Sequence, residues 1–449
     1  MLHGDAKYYD VLERTLYNGL ISGISLDGNR FFYPNPLESK GQHERSEWFG
    51  CACCPSNICR FMPSIPGYMY ARKGKDIYLN LFVESEAKIS MDGNDVSFHV
   101  KTDYPWDGKI TITVNPSVAE NFRILVRIPG WARNKPVPSD LYSYVNPKKT
   151  QVKIKINGRD AKFSVNENGY AVLSKKWQKN DKMEIDLPMP IQRVVANEKV
   201  ADDVGKIALE RGPLVYCLEW MDNVGSVLNS VLDDGAIIKE TFLPEKLGGI
   251  VEIKAKAKNA YRNSKNDIAL EPKTLTAIPY YAWANRGSGE MAVWIPRSAD
   301  AIHNLPPTTI CTKAKVSSSI SNNSISAVND GFWPQNSNDR SVSFFNIWSK
   351  KNSTEWIEYE FEKPERISKA SIFWFDDEPW GECRIPLEWK VQYKDAGGGW
   401  HDVKAKGEYK IEKDRRNSIE FENVNAKGVR VLFKLAEKYS AGVYEFLAE

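Results

Sequence analysis

Four of the seven cysteines in this 449-residue chain, Cys51, Cys53, Cys54 and Cys59, lie within nine residues. Three of them crowd the segment Trp48-Phe49-Gly50-Cys51-Ala52-Cys53-Cys54-Pro55-Ser56-Asn57, where a loop enters a helix expected to start at Pro55. The partial positive charge of a helix N-terminus favours thiolate over thiol, as does any bound cation. Zn²⁺ is the natural ion for such a place, because it takes soft sulfur ligands in tetrahedral geometry and is redox-inert. A thiolate held there is a ligand, a nucleophile, or both in turn. From the cysteines alone three other outcomes stay open: a closed zinc site without catalysis, buried unligated thiols, and a strained vicinal Cys53–Cys54 disulfide. The odd total and the clustering favour metal or thiolate chemistry over a disulfide framework. His43, Glu44 and Glu47 just upstream, and Glu38, could also ligate a metal or move protons. Their ordinary reading is as solvated loop residues.

The elements that must position these groups change character along the chain. Tyr8, Leu12, Leu16 and Leu20, four residues apart, predict an amphipathic helix over 6–22, with Glu13 and Arg14 off the apolar stripe. Residues 23–50 read as a loop punctuated by Gly28, Pro34, Pro36 and Gly41. The second helix should bury Ile58, Phe61, Met62 and Ile65, kink at Pro63 and stop at Pro66-Gly67. From Asp76 onward the period becomes two. Strands are expected at 77–83, 109–114, 122–128, 152–156, 182–187, 206–209, 214–217 and 290–295, and they read as sandwiches; 221–266 reads as an irregular, charged insertion. Near Pro306 the composition shifts to a Ser/Asn-rich linker, Ser317 to Ser326, before a last unit with strands at 356–361, 370–375, 387–393 and 429–433. No internal repeat of fixed period is present. The domains are therefore expected at 1–72, 73–305 and 306–449.

Bulk properties narrow the partners. The 61 Lys and Arg balance 58 Asp and Glu, so there is no basic field to hold nucleic acid by counterion release. Aromatic residues at 12%, with 14 Trp, suit β packing and also the stacking of indole faces on sugar rings. No apolar run is long enough for a bilayer, and Met1-Leu2-His3-Gly4-Asp5 does not open a signal peptide. The expectation is a soluble chain with no membrane role. The compartment is undetermined, and the periplasm or the exterior would suit a polysaccharide degrader whose export signal lies further upstream.

Several motifs in fixed order resemble glycoside hydrolase family 127, the β-L-arabinofuranosidase family. They are 5–19 (Asp5 to Gly19), 51–57 (Cys51 to Asn57), 210–217 (Glu210 to Cys217), 278–284 (Ile278 to Ala284) and Trp294-Ile295-Pro296. The resemblance implies a mainly β fold here, with partial (α/α)6-barrel helices at the N-terminus followed by β-sandwich domains. It implies a zinc held by three cysteines and a glutamate, with one cysteine as nucleophile. Cys53 matches the nucleophile and a zinc ligand, and Cys54 a further ligand; Cys51 matches the first cysteine of the triplet. The implied reaction is retaining, with a carboxylic acid protonating the leaving oxygen and then activating water. The acid/base Glu, and the Glu and Cys that complete the zinc shell, have no counterpart in this chain. Either the sequence is a fragment of a longer protein, or a separate polypeptide is a partner that supplies the rest of the barrel; the carbohydrate substrate is expected in both cases. The alternative is a non-catalytic carbohydrate-binding β-sandwich protein or truncated remnant.

Residues 312–449 resemble a discoidin-like (galactose-binding-like) jelly roll, through Ala327-Val328-Asn329-Asp330-Gly331, 356–361, Pro386 to Trp389, Gly399-Trp400 and Val443-Tyr444-Glu445. Such modules often hold a structural calcium, and Asp330 and Glu445 match the positions of its ligands; the competing reading of Asn329-Asp330-Gly331 is a plain turn. Trp374, Trp380 and Arg384 are candidates to stack on and hydrogen-bond a sugar, with 376–378 (Asp, Asp, Glu) as hydroxyl acceptors. Alternation with Phe373 and Phe375 places Trp374 on the exposed face; a packing role for these aromatics is the competing reading.

Overall fold

The computed structural model describes residues 3–449 except 92, 149, 225, 264, 266, 303, 304, 306, 307, 321–323 and 341. The chain is mainly β and divides into two compact units. The first comprises residues 1–38, 44–258 and 272–301, and the second 39–43, 259–271 and 302–449. The expected boundary near Pro306 and part of the expected linker fall outside the described residues.

The first unit opens with α1 (Lys7–Arg14), which widens into a π-helical turn at Thr15–Leu20. The face it buries follows the expected apolar stripe only in part: Leu16 is buried and Leu12 and Leu20 are half-buried, but the face is shifted toward Glu13. Ala6, Tyr9, Glu13 and Leu16 are buried, whereas Tyr8 is 46% exposed. The reason is electrostatic. Arg127, fully buried on a strand, ion-pairs with Glu13 and with Asp10 at 2.8 Å, and Glu13 also accepts from the Tyr104 hydroxyl at 2.7 Å. The next residue, Arg14, pairs with buried Glu210. Charge pairing thus selects which side of the helix faces the sheets.

α2 (Cys53–Phe61) starts two residues earlier than Pro55, so that Cys53 and Cys54 are its first helical residues. Pro63 breaks the helix into a 3₁₀ turn, Met62–Ser64, in line with the expected kink. Pro66-Gly67 does not stop helical structure; Pro66 opens a short turn, Pro66–Met69, where its missing N–H costs nothing. Of the expected buried face only Ile58 is buried, and Met62 is 43% exposed.

Among the described residues a four-stranded sheet (Tyr70–Lys73, Asp76–Leu79, Glu120–Arg127, Tyr170–Trp177) packs on a six-stranded one. Ile77, Leu79, Ile124 and Val126 from the first meet Val96, Phe98, Ile112 and Val114 from the second in one core. Alternation drives this: Asn94–Thr102 buries every second side chain along most of its length. A further sheet carries Tyr142–Val145, Ile191–Ala196, Lys206–Arg211 and Leu214–Glu219 in antiparallel order. The supposed insertion at 221–266 is largely regular. Ile238–Leu243 pairs with Ile250–Arg262, which in turn pairs with Ile268–Pro279. Most of its Lys and Glu residues are outward positions of these strands, Glu252 excepted, which is why they read as an irregular charged stretch.

The second unit is built on one sheet centred on two long strands, Thr354–Phe375 and Arg416–Lys434. The strands expected at 356–361 and 370–375 are the two arms of the first, separated by register shifts around Lys363-Pro364. Part of the expected linker is a strand instead, since Lys315–Ser318 pairs with Ile357–Glu360.

Candidate thiolate site and carbohydrate-facing loops

α2 is held by close approach. A side-chain carbon at Gly23 would lie 2.8 Å from the Ile58 side chain, so only glycine lets the helix sit there. The loop leading into it is pinned by Arg45, buried among Phe32 and Trp283. Its guanidinium lies over the Phe32 ring, 4.4 Å from the centroid, and donates to the carbonyls of Ser22 (2.8 Å) and Trp283 (3.0 Å). Burial pulls its pKa down to about 10. Tyr33, packed edge-on against Phe49, is thereby presented to the cysteines.

The thiols are free; Cys51, Cys53 and Cys59 are exposed and Cys54 half-buried, so neither the vicinal disulfide nor the dry packing forms. The Cys53 and Cys54 sulfurs stand 3.9 Å apart. Two thiolates on one tetrahedral zinc, at about 2.3 Å each, lie about 3.8 Å apart, so the donor pair fits adjacent vertices. The Tyr33 hydroxyl is 3.6 Å from Cys53 Sγ. The two thiols are not equivalent. A hydrogen bond from Tyr33, then one from Cys54, pulls the Cys53 thiol down, whereas burial and the charge of Cys53 push Cys54 up. Tyr33 itself is held strongly protonated by the sulfur it serves. Nothing in the sequence pointed to Tyr33, because it lies twenty residues before Cys53 in a loop without periodicity. Cys217 and Cys311 are buried, and burial pushes the Cys311 thiol to about 12, so these are packing groups.

The nearby carboxylates do not join the sulfurs. Glu47 is exposed and 3.5 Å from Arg30, Glu44 and Glu38 are exposed, and His43 bonds Ser39 at 3.0 Å with its pKa lowered by burial. Among the described residues no three His, Cys, Asp or Glu side chains converge as a complete metal site.

In the second unit Glu445 is buried on the strand Gly442–Ala448 and accepts from the Gly331 N–H at 2.9 Å. Burial and then the charge of Asp330 hold its carboxyl well above the usual range. A buried carboxyl beside a second, half-buried one calls for either a proton or a cation. Trp374 is not on an exposed face. It is fully buried, edge-on to Trp389 and Phe433, because this strand is covered on both sides and its neighbours Phe373 and Phe375 are buried too. It therefore offers no face to a sugar. Asp376 and Asp377 are likewise buried and spent on internal donors, Lys413 and the Ile385 N–H for one, the Cys383 N–H and Arg384 for the other. Trp380 is 92% exposed. Arg384 donates to the carbonyls of Gly381 and Cys383 and lies over the Tyr439 ring, which fixes the loop carrying Trp380.

The fold is a mainly β chain with its cysteine motif on a short helix, and sequence comparison gives the family. Three profiles of one family match in order: the β-L-arabinofuranosidase GH127 catalytic domain at 1–67, the GH127 middle domain at 76–189 and the glycoside hydrolase family 127 C-terminal domain at 191–296. The chain therefore belongs to glycoside hydrolase family 127 over these residues, and a NedA-like, galactose-binding domain matches 334–431. A non-reducing end β-L-arabinofuranosidase of Bifidobacterium longum is 35% identical over 321 residues, covering 65% of this chain and 46% of that protein. A solved GH127 β-arabinofuranosidase is 46% identical with a TM-score of 0.66, covering 68% of this chain and 48% of the other. The GH127 β-L-arabinofuranosidase of Geobacillus stearothermophilus T6 is 37% identical with a TM-score of 0.59, covering 65% and 46%. The chain thus spans about half the length of the relatives it matches.

Proposed function

We propose that this chain is the thiolate-bearing and carbohydrate-binding part of a retaining β-L-arabinofuranosidase-type glycoside hydrolase acting on plant-type glycans. The observation that carries the reading is the asymmetry of the Cys53–Cys54 pair, in which Tyr33 lowers one sulfur while the other is raised. Cys53 is then the nucleophile. Its thiolate attacks the anomeric carbon and forms a carbon–sulfur bond as the glycosidic oxygen leaves with a proton from a carboxylic acid. Water, activated by the same carboxylate, next attacks that carbon and releases the thiolate, so two displacements retain the configuration. Tyr33 steadies the sulfur at the start and end of this cycle. Zinc held by Cys53 and Cys54 would supply positive charge that keeps sulfur ionised at neutral pH.

The proton donor and the remaining zinc ligands come, on this reading, from barrel helices outside these 449 residues. The helices here are part of an (α/α)6 barrel on this reading, and the exposed apolar side chains of Tyr8, Val11, Trp48 and Met62 suit contact with its other helices. In the second unit Trp380 is the sugar platform, Arg384 keeps its loop in place, and Asp330 with Glu445 holds calcium.

The test is zinc content and hydrolysis of an aryl β-L-arabinofuranoside, measured with the barrel polypeptide supplied, for the wild type and for Cys53→Ala. Loss of turnover in the variant supports the assignment; turnover that survives it excludes Cys53 as nucleophile.

A further inference from the structure

In the second unit three loops leave the sheet side by side at one end. Phe345–Asn346 pairs with Gly442–Ala448, and Gly442 pairs on its other side with Phe375, so the loops 347–353, 436–441 and 376–385 stand in a row with 436–441 in the middle. Hydrogen bonds tie the three together. Ser440 donates from its hydroxyl to Ile347 O at 2.6 Å and from its N–H to Glu382 O at 2.9 Å, while its carbonyl accepts from the Arg384 N–H at 2.9 Å. Each loop carries a large aromatic side chain open to solvent: Trp348 is 56% exposed, Tyr439 40% and Trp380 92%. Neighbouring strands stand about 4.8 Å apart, so three loops in a row cover about 10 Å, more than a single sugar ring.

The backbone and one stacked cation hold these aromatics in place. The Lys350 N–H closes the turn at Trp348 on Ile347 O at 2.8 Å, and the N–H groups of Trp380 and Gly381 both donate to Asp377 O at 3.0 Å. The Arg384 guanidinium lies over the Tyr439 ring, 4.6 Å from its centroid. Groups that are already ordered lose little freedom when a ligand settles on them. The charges between the rings are spent on one another: Lys351 pairs with Glu382 at 2.6 Å, Arg384 with Asp377 at 3.4 Å, and Glu378 with Lys413 at 3.0 Å. Separate rings interleaved with paired polar groups match the C–H faces and hydroxyls of an uncharged glycan, whereas a protein partner calls for a contiguous apolar patch.

We propose that Trp348 and Tyr439 extend the Trp380 platform, so that this end of the second unit binds several consecutive residues of an uncharged glycan chain instead of one terminal sugar. The proposal rests on the reading of Trp380 as a sugar platform and deepens it by naming the ligand as a chain. It stands whether or not Cys53 is a nucleophile.

The test is calorimetric titration of the full chain with galactose, arabinose, galactotetraose, arabinotetraose and tetragalacturonate, for the wild type, Trp348→Ala, Trp348→Phe and Trp380→Ala. All three substitutions change exposed side chains, and unchanged melting temperatures verify the fold. At least one neutral tetrasaccharide should bind the wild type about tenfold or more tightly than its monosaccharide. Trp348→Ala should weaken that tetrasaccharide about fivefold, the value of one aromatic contact, and leave the monosaccharide within about twofold; Trp348→Phe should restore the tetrasaccharide. Trp380→Ala should weaken both. Equal affinity for monosaccharide and tetrasaccharide, or undiminished tetrasaccharide binding by Trp348→Ala, overturns the chain-binding proposal and leaves Trp380 as a platform for a single sugar. Tetragalacturonate bound more tightly than the neutral chains overturns the uncharged class. No effect of Trp380→Ala, or no binding of any of these sugars, overturns the platform itself and the proposal with it.

Discussion

At the scale of single residues, the informative feature is that two adjacent thiols differ. Cys53 receives a hydrogen bond from Tyr33 and its thiol is pulled down, while burial raises Cys54. Removing the hydroxyl should therefore raise the pH at which Cys53 ionises. The midpoint of Cys53 alkylation by iodoacetamide against pH, read by peptide mass spectrometry, should move upward in Tyr33→Phe; an unchanged midpoint would show that Tyr33 does not tune the sulfur. Glu445 has the opposite sign. Its carboxyl, ordinarily near 4.5, is held well above that by burial and by Asp330. Between those two values the folded state binds the extra proton, so this group stabilises fully below about 4.5 and its contribution falls as pH rises through the folded value. Calcium binds only the ionised form, so its benefit grows over the same window. With a chelator present, the melting temperature of wild type minus that of Glu445→Gln should fall as pH rises above the ordinary carboxylate range, and calcium should raise the wild type more at the higher pH. A calcium shift that persists in Glu445→Gln would remove this residue from the cation site.

Among the elements, α1 shows how buried charge overrides periodicity. The four-residue spacing of Tyr8, Leu12, Leu16 and Leu20 marks an apolar stripe, yet Glu13 is buried and Tyr8 is not, because Arg127 sits beneath the helix and needs Glu13 and Asp10. Taking away one member of such a group leaves the other charges buried without a partner. Arg127→Ala should cost about 3–5 kcal/mol in the urea transition of the first unit, whereas Arg72→Ala, on the exposed edge of the same sheet, should cost well under 1 kcal/mol; equal small losses would mean that the helix is not anchored by these ion pairs. The same contrast explains what was legible in advance. Strands such as Lys109–Pro116 and Asn94–Thr102 announce themselves through alternation, because each packs one face on a single core. Trp374 misled for the converse reason. Its strand is buried on both faces, so alternation there carries no information about exposure. The hairpin at 238–262 was hidden by its outward lysines and glutamates, and the Cys53–Tyr33 contact by a loop whose path only tertiary packing around Arg45 determines.

For the molecule as a whole, the deciding quantity is what the chain contains of a catalytic centre. It matches the family's catalytic domain over residues 1–67, spans 46% and 48% of two of its relatives, and brings the Cys53 and Cys54 sulfurs together with Cys51 nearby, while no three metal-ligating side chains converge among the described residues. General acid catalysis contributes roughly 10²- to 10⁴-fold, and a zinc with two protein ligands binds weakly because ligand affinity and site order are linked. The 449-residue chain alone should therefore carry substoichiometric zinc and hydrolyse an aryl β-L-arabinofuranoside at least about a hundredfold more slowly than the same chain joined by a polypeptide bearing the remaining barrel helices. Joining the two should also bury Tyr8, Val11, Trp48 and Met62, which hydrogen–deuterium exchange over 7–14 and 46–64 would register as added protection. Full zinc loading and undiminished turnover by the chain alone would mean that an acid and further ligands reside within these residues. Gain of protection without gain of turnover would separate assembly of the barrel from its chemistry and place the missing step at the proton donor.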